Sequence, residues 1–300
     1  MEEYIGKVKL NLDFYKGTDT YSDGDIEDKL LDVVKSGTDL EEFLTTESEW
    51  PYLYYFSNIR HNILEWYDFD KGKSLLEIGA GCGAVTGLFC EKLDRVVAID
   101  LSKRRSSINA YRNQTYDNLE IMVGNFQDIE TDEKFDYVTL IGVLEYSIYY
   151  IGSDDPFRDM LRRAKNYLKP GGKLIIAIEN KYGIKYWAGS REDHTGGMFD
   201  GIEGYEGVDR VRTFSRHGLE KLVKESGFTN TEYYYPFPDY KMPIEIYSED
   251  RLPNKGSIKT PSPAYDRDRL ELFSEVKALD AICEDGLFEE FANSFLVICS

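Results

Sequence analysis

Cysteine is scarce in this chain: 300 residues hold four, Cys82, Cys90, Cys283 and Cys299, and no two of them form a C-x-x-C pair. That spacing indicates neither a thiolate zinc site nor a disulfide framework, so the expectation is a reduced, cytoplasmic protein with no metal. No apolar run approaches the roughly 18 residues that a membrane span needs. The N-terminal stretch MEEYIGKVKLNLDFY is acidic and alternating, unlike a secretory signal. Positive charge is also in short supply, with 36 Lys and Arg against 55 Asp and Glu, a net charge of −19. Nucleic-acid binding relies on Lys and Arg to displace counterions, so no nucleic-acid partner is expected. Much of the excess acid lies in residues 1–50, including Asp23-Gly24-Asp25-Ile26-Glu27-Asp28, and reads as a solvated face.

What the chain does have is tyrosine, 23 residues against 16 Phe, and a core-forming share of apolar residues at 42%. Tyrosine offers a flat apolar face with a hydroxyl, which suits polar pockets, carbohydrate sites among them. The length suits one elaborated domain. The most informative segment is SLLEIGAGCGAVTGLFCEKLDRVVAID, residues 74–100. Its order is a buried strand, a glycine turn, a helix and a second strand ending in Asp100, the layout of a nucleoside-binding half of a doubly wound sheet. Asp100 stands where a carboxylate can accept both ribose hydroxyls. Gly79-x-Gly81-x-x-Ala84 also fits a dinucleotide fingerprint.

Three further features favour S-adenosylmethionine (SAM). Glu77 precedes the first glycine by two and can face the methionine ammonium group. Gly83 is a third glycine in the loop. Leu168-Lys169-Pro170-Gly171-Gly172-Lys173 leads into a strand at Leu174 to Ile178. Together these residues resemble the class I SAM-dependent methyltransferase family, whose cofactor loop is E-x-G-x-G-x-G and whose L-x-P-G-G turn precedes the fifth strand. The resemblance implies an α/β, doubly wound, seven-stranded Rossmann-like sheet of order 3-2-1-4-5-7-6, with an antiparallel last strand. It implies cofactor contacts from Glu77, Gly79, Ala80, Gly81, Gly83, Asp100 and Leu101. It adds Asn125 and Phe126 after the third strand, for the adenine, and Gly142 and Val143 after the fourth, near the sulfonium. Tyr54 and Arg60 share one face of a helix expected over residues 51–67, which in the family often lies over the cofactor. Arg60 then either meets the SAM carboxylate or is a surface arginine.

The expected organisation is an N-terminal cap over 1–70 and a methyltransferase domain over 71–300, with insertions at about 181–215 and 241–290. The cap contains a hairpin at 4–15 and a helix at 24–37. The second insertion contains a helix at about 266–282. The segments ENKYGIKYWAGSREDHTGG, RTFSRHGLEKL and YYYPFPDYK resemble those of bacterial proteins of surface-polysaccharide assembly, which implies a saccharide acceptor. Gly and aromatic residues make 181–215 a candidate lid.

Methyl transfer is an in-line displacement, and a sugar hydroxyl is a poor nucleophile until its proton leaves. His194, in the polar loop beside Asp193, is the first candidate base, or else a loop pin. Glu145 and Glu179, which follow the ends of central strands, are the alternatives. The leading expectation is O-methylation of a saccharide or sugar-containing intermediate. Another small molecule, a lipid-linked intermediate or a protein side chain is the next reading, and a SAM-binding interaction module without turnover is the third.

Overall fold

The computed structural model describes residues 2–19, 22, 24–265 and 267–300. Asp23 of the acidic run and Asp266, where the sequence opens a helix, lie outside the described residues. The chain divides into two compact units, Met1–Leu140 with Ala164–Leu174, and Ile141–Arg163 with Ile175–Ser300.

In the first unit, β1 (Glu2–Ile5) and β2 (Val8–Asn11) form an antiparallel hairpin. The glycine-loop strand is β3 (Ser74–Ile78), followed by β4 (Arg95–Asp100), β5 (Leu119–Val123) and β6 (Phe135–Ile141). Parallel pairing joins β2 to β5, β5 to β4, β4 to β3 and β3 to β6. β3 and β5 are buried along their whole length, as continuous apolar strands between helical layers should be. The helix Ile26–Ser36 ends at Gly37 with φ 72°, and its Leu30 and Val34 cluster with Tyr52, Tyr55, Phe56 and Ile108.

Strand β7 (Leu168–Glu179) begins in the first unit and ends in the second. The second unit carries β8 (Thr231–Phe237), β9 (Glu245–Ser248) and β10 (Ser294–Cys299), ordered β7-β10-β8-β9. β10 runs antiparallel to β8, and β8 antiparallel to β9. The architecture is a mixed, Rossmann-like α/β sheet.

Several expectations need correction. The described residues form ten strands, not seven. The additions are β1 and β2, where the β2 backbone pairs with β5, and β9, which pairs with β8. The helix expected over 51–67 breaks at Ser57, whose ψ is 131° and whose side chain accepts from Ile59 N. It continues as a 3₁₀ turn, Asn58–His61, and a short helix, Asn62–Glu65. Pro170-Gly171-Gly172 lies within β7 rather than in a turn before it, with Gly171 at φ 77°. The helix expected from 266 starts at Glu275, capped by Ser274. No helix among the described residues is long and apolar enough to cross a membrane.

Candidate active site

The first unit builds the glycine loop from β3 outward. Gly81 N donates to Asp100 Oδ2 at 2.8 Å, and Ser102 N donates to Asp100 Oδ1 at 2.9 Å. These bonds fix the carboxylate at the end of β4 while each oxygen keeps a lone pair for a ligand hydroxyl. Gly81 has φ 55°, a left-handed conformation that favours glycine. Gly83 serves packing: a Cβ there would stand 2.4 Å from Asn109 Oδ1. That is the part the last glycine plays in such loops, where it permits close helix packing. Ala80 is buried and Leu101 half-buried beside them.

Glu77 is 5% exposed and accepts a bond from Thr86 Oγ1 at 2.6 Å. Burial pushes its carboxyl up to about 8, against the Thr86 bond and the charges of Arg112 and Arg60. Arg60 is itself buried, its guanidinium 4.4 Å from the Tyr54 ring centroid. A buried acid with an arginine in its field matches the ammonium and carboxylate of an amino-acid-bearing ligand. Asn125 is half-buried at the end of β5, its Oδ1 accepting from Gln127 N. Phe126 is buried against Tyr167, with centroids 5.6 Å apart. The fit to SAM therefore rests on Glu77, Arg60, Asp100 and the loop backbone.

In the second unit, Gly142 and Val143 follow β6, and Gly142 N donates to Ala177 O of β7 at 2.9 Å. Glu145 follows in a 3₁₀ turn and Glu179 ends β7; both are buried. The loop after β7 is tied down, and its short helix Ile184–Trp187 is mostly buried. It brings His194 to the two glutamates, with Nε2 3.6 Å from Glu145 Oε1 and 3.8 Å from Glu179 Oε2. The other ring nitrogen, Nδ1, lies 3.0 Å from Glu192 Oε1. Glu192 also accepts from the backbone N of His194 and Thr195, at 2.7 and 2.6 Å, and from the Tyr205 hydroxyl at 3.2 Å.

A charged lattice surrounds this trio. Lys241 Nζ lies 2.6 Å from Glu179 Oε1 and 3.2 Å from Asp193 Oδ1, and Lys185 Nζ lies 2.8 Å from Asp193 Oδ2 and 3.3 Å from Asp239 Oδ2. The Tyr186 hydroxyl donates to Asp193. Asp193 is thus committed to the lysines: burial alone would raise its carboxyl, but Lys185, Lys241 and His194 hold it well below the carboxylate range. Burial lowers His194, yet the charge of Glu179, the nearby Glu145 carboxylate and the bond to Glu192 drive the imidazole well above its ordinary value. Burial raises Glu145 despite the opposing contact with His194. Neither Glu145 carboxylate oxygen has a hydrogen-bond partner.

The sequence names His194, Asp193, Glu145 and Glu179, and the structure gathers all four. It does not flag Glu192, Lys185, Lys241 or Asp239. The available signal was position, since Asp239 and Lys241 stand just past the end of β8, as Glu145 stands past β6. The expectation of no metal rested on cysteine spacing, which bears on thiolate sites alone.

A family model described as a methyltransferase domain matches residues 52–233. A bifunctional methyltransferase of Rickettsia conorii is 27% identical over 215 residues, covering 62% of this chain and 40% of that protein. An uncharacterized protein of Methanocaldococcus jannaschii is 28% identical over 162 residues, covering 53% of this chain and 66% of its own length. An uncharacterized methyltransferase of Staphylococcus carnosus is 33% identical over 102 residues, covering 34% of this chain and 45% of its own. The chain thus spans less than two thirds of the length of these curated relatives. Among solved structures, the DhpI–SAH complex is similar at 15% identity with a TM-score of 0.46, over 93% of this chain and 98% of that one.

Proposed function

The chain belongs to the methyltransferase domain family; from that premise we propose that it is a SAM-dependent enzyme that methylates a hydroxyl of a saccharide or sugar-containing intermediate of surface-polysaccharide assembly. Glu77 and Arg60 would hold the amino-acid end of the cofactor, Asp100 the ribose, and Asn125 the adenine edge. Bound SAM supplies an electrophilic methyl group. What remains for the protein is to orient an acceptor oxygen and remove its proton.

The observation that carries this reading is the buried trio Glu145, Glu179 and His194. Its carboxylates leave the ends of β6 and β7, and ligands of doubly wound sheets sit beyond the carboxyl ends of the strands. Glu145 is raised by burial and His194 by the carboxylates around it, so the groups titrate together rather than singly. Glu145, buried without a hydrogen-bond partner, is the better base for a hydroxyl proton. His194, kept charged by three carboxylates, positions the acceptor and offsets the negative charge that develops on its oxygen as Glu145 takes the proton. Tyr146, edge-on to His194 at 5.3 Å between centroids, adds an aromatic face of the kind saccharides use. A soluble, cytoplasmic enzyme without a nucleic-acid partner belongs to the same reading.

One observation favours a second acceptor class. The trio and its surroundings set five carboxylates, Glu145, Glu179, Glu192, Asp193 and Asp239, against Lys185, Lys241 and His194, and a cationic amine would balance that excess. Labelled methyl transfer to a panel of sugar nucleotides, oligosaccharides and amines separates the two. Label on an amine alone would end the saccharide reading.

A further inference from the structure

We infer that Glu145, Glu179 and His194 form a binding site for one divalent transition-metal ion of the Mn²⁺ or Zn²⁺ class. The three ligand atoms all lie within 4.8 Å of one another. The distances from His194 Nε2, 3.6 Å to Glu145 and 3.8 Å to Glu179, are too long for hydrogen bonds. They suit donors shared by one ion: with bonds of about 2.0–2.2 Å, neighbouring ligand atoms stand roughly 3–4 Å apart.

Two independent observations point the same way. The Glu145 side chain is buried, and neither of its oxygens has a hydrogen-bond partner. A buried carboxylate left so is costly unless a cation meets it. The second observation is the far side of the imidazole. His194 Nδ1 lies 3.0 Å from Glu192 Oε1, and Glu192 is itself fixed by two backbone N–H groups and the Tyr205 hydroxyl. Metal-ligating histidines carry this outer carboxylate, which sets the tautomer that leaves Nε2 free to bind. The excess of carboxylates over cations around the trio leaves room for two positive charges.

One imidazole with two carboxylates suits Mn²⁺, Fe²⁺ or Zn²⁺ better than a soft ion. Three protein ligands leave positions open, where an acceptor oxygen can bind and be polarised. The inference deepens the acceptor-site reading, with the ion taking the place of the proton the trio otherwise holds. Ion uptake is measured without SAM or acceptor, so its failure leaves the saccharide reading standing, and a failed saccharide panel leaves the ion site standing.

The test is titration of the EDTA-treated, desalted chain with MnCl₂, reading free Mn²⁺ by electron paramagnetic resonance, and with ZnCl₂ by calorimetry. The expected result is one ion per chain at micromolar concentration. Glu192→Gln should weaken it roughly 10–100-fold, and Glu145→Gln and His194→Gln by at least as much. Circular dichroism of each variant separates lost binding from lost folding, and Glu192→Gln, which keeps all three ligands, serves if a ligand variant does not fold. No uptake of either ion at ~1 mM would overturn the inference. So would uptake that all the folded variants leave unchanged.

Discussion

The hydroxyl of Thr86 donates to Glu77 Oε2 across 2.6 Å, and Asn109 Nδ2 donates in turn to the Thr86 oxygen at 3.0 Å. This relay ties the carboxylate at the end of β3 to the helix Lys103–Arg112. It also explains Gly83, since a side chain there would collide with Asn109. The glycine loop is therefore shaped by packing on one side and left to the ligand on the other.

The proposed pairing of Glu77 with the cofactor's ammonium group predicts pH-dependent binding. Its carboxyl, raised to about 8 by burial, is mostly protonated at pH 7 and must ionise to meet an ammonium group. SAM affinity should then rise by up to about tenfold per pH unit below pH 8, with close to one proton released at pH 7. The sign for stability is the reverse. The folded state keeps a proton that the unfolded chain has lost, so this contribution is full below ~4.3 and disappears as pH rises through the folded value. Calorimetry at pH 7 in buffers of different ionisation enthalpy reads the proton, and Glu77→Gln should abolish its release. Proton-free binding in the native chain would refute the pairing.

Asp100 offers a simpler test. Its carboxylate is pre-aligned by Gly81 N and Ser102 N, so Asp100→Ala removes an oriented acceptor. One lost charge-assisted hydrogen bond, worth roughly 1.5–3 kcal/mol, predicts SAM affinity at least tenfold weaker. Unchanged affinity would move the ribose elsewhere.

Asp136 should hold the first unit together. Its Oδ2 accepts from Ser74 N at 3.0 Å, Ser74 Oγ at 3.0 Å and Lys169 Nζ at 2.7 Å, and Lys73 lies 3.2 Å from Oδ1. Burial would raise this carboxyl, but those partners hold it well below the carboxylate range. Its stabilisation is present above the unfolded value of ~3.9 and lost as pH falls towards the folded one. Asp136→Asn should cost about 1.5–3 kcal/mol at pH 7, and less at pH 3, where the loss has begun. Urea unfolding at both values checks this, and an equal cost at both would refute the charge argument.

The local parts of this chain are legible in its sequence. The strand, glycine turn and second strand of residues 74–100 marked β3 and β4, and residues 24–37 marked a helix, because each signal sits within a few residues of what it specifies. The break at Ser57 was not legible: the apolar spacing of residues 51–67 continues through it, and the departure lies in one ψ angle. The partners of the trio were hidden for a different reason. Lys241 is 62 residues from the Glu179 it touches, and no periodicity links them. His194 drew notice as a polar residue in a glycine-rich loop, but its charge state depends on Glu145, Glu179 and Glu192, which only the fold brings to it.

The division of labour in the trio yields the last prediction. If Glu145 accepts the acceptor proton, Glu145→Gln keeps the shape and removes the base, and kcat should fall roughly 10²–10⁴-fold. SAM affinity should stay nearly constant, because Glu77, Asp100 and the glycine loop are untouched. His194→Gln keeps Glu145 but loses the positive partner between Glu145 and Glu179, 3.6 and 3.8 Å away. Its kcat should fall less, with acceptor KM rising, because it positions rather than accepts. Initial rates over a range of acceptor concentration separate the two effects. A larger kcat loss in His194→Gln than in Glu145→Gln, with acceptor KM unchanged, would return the base role to the histidine. Full turnover in both variants would remove the trio from the reaction.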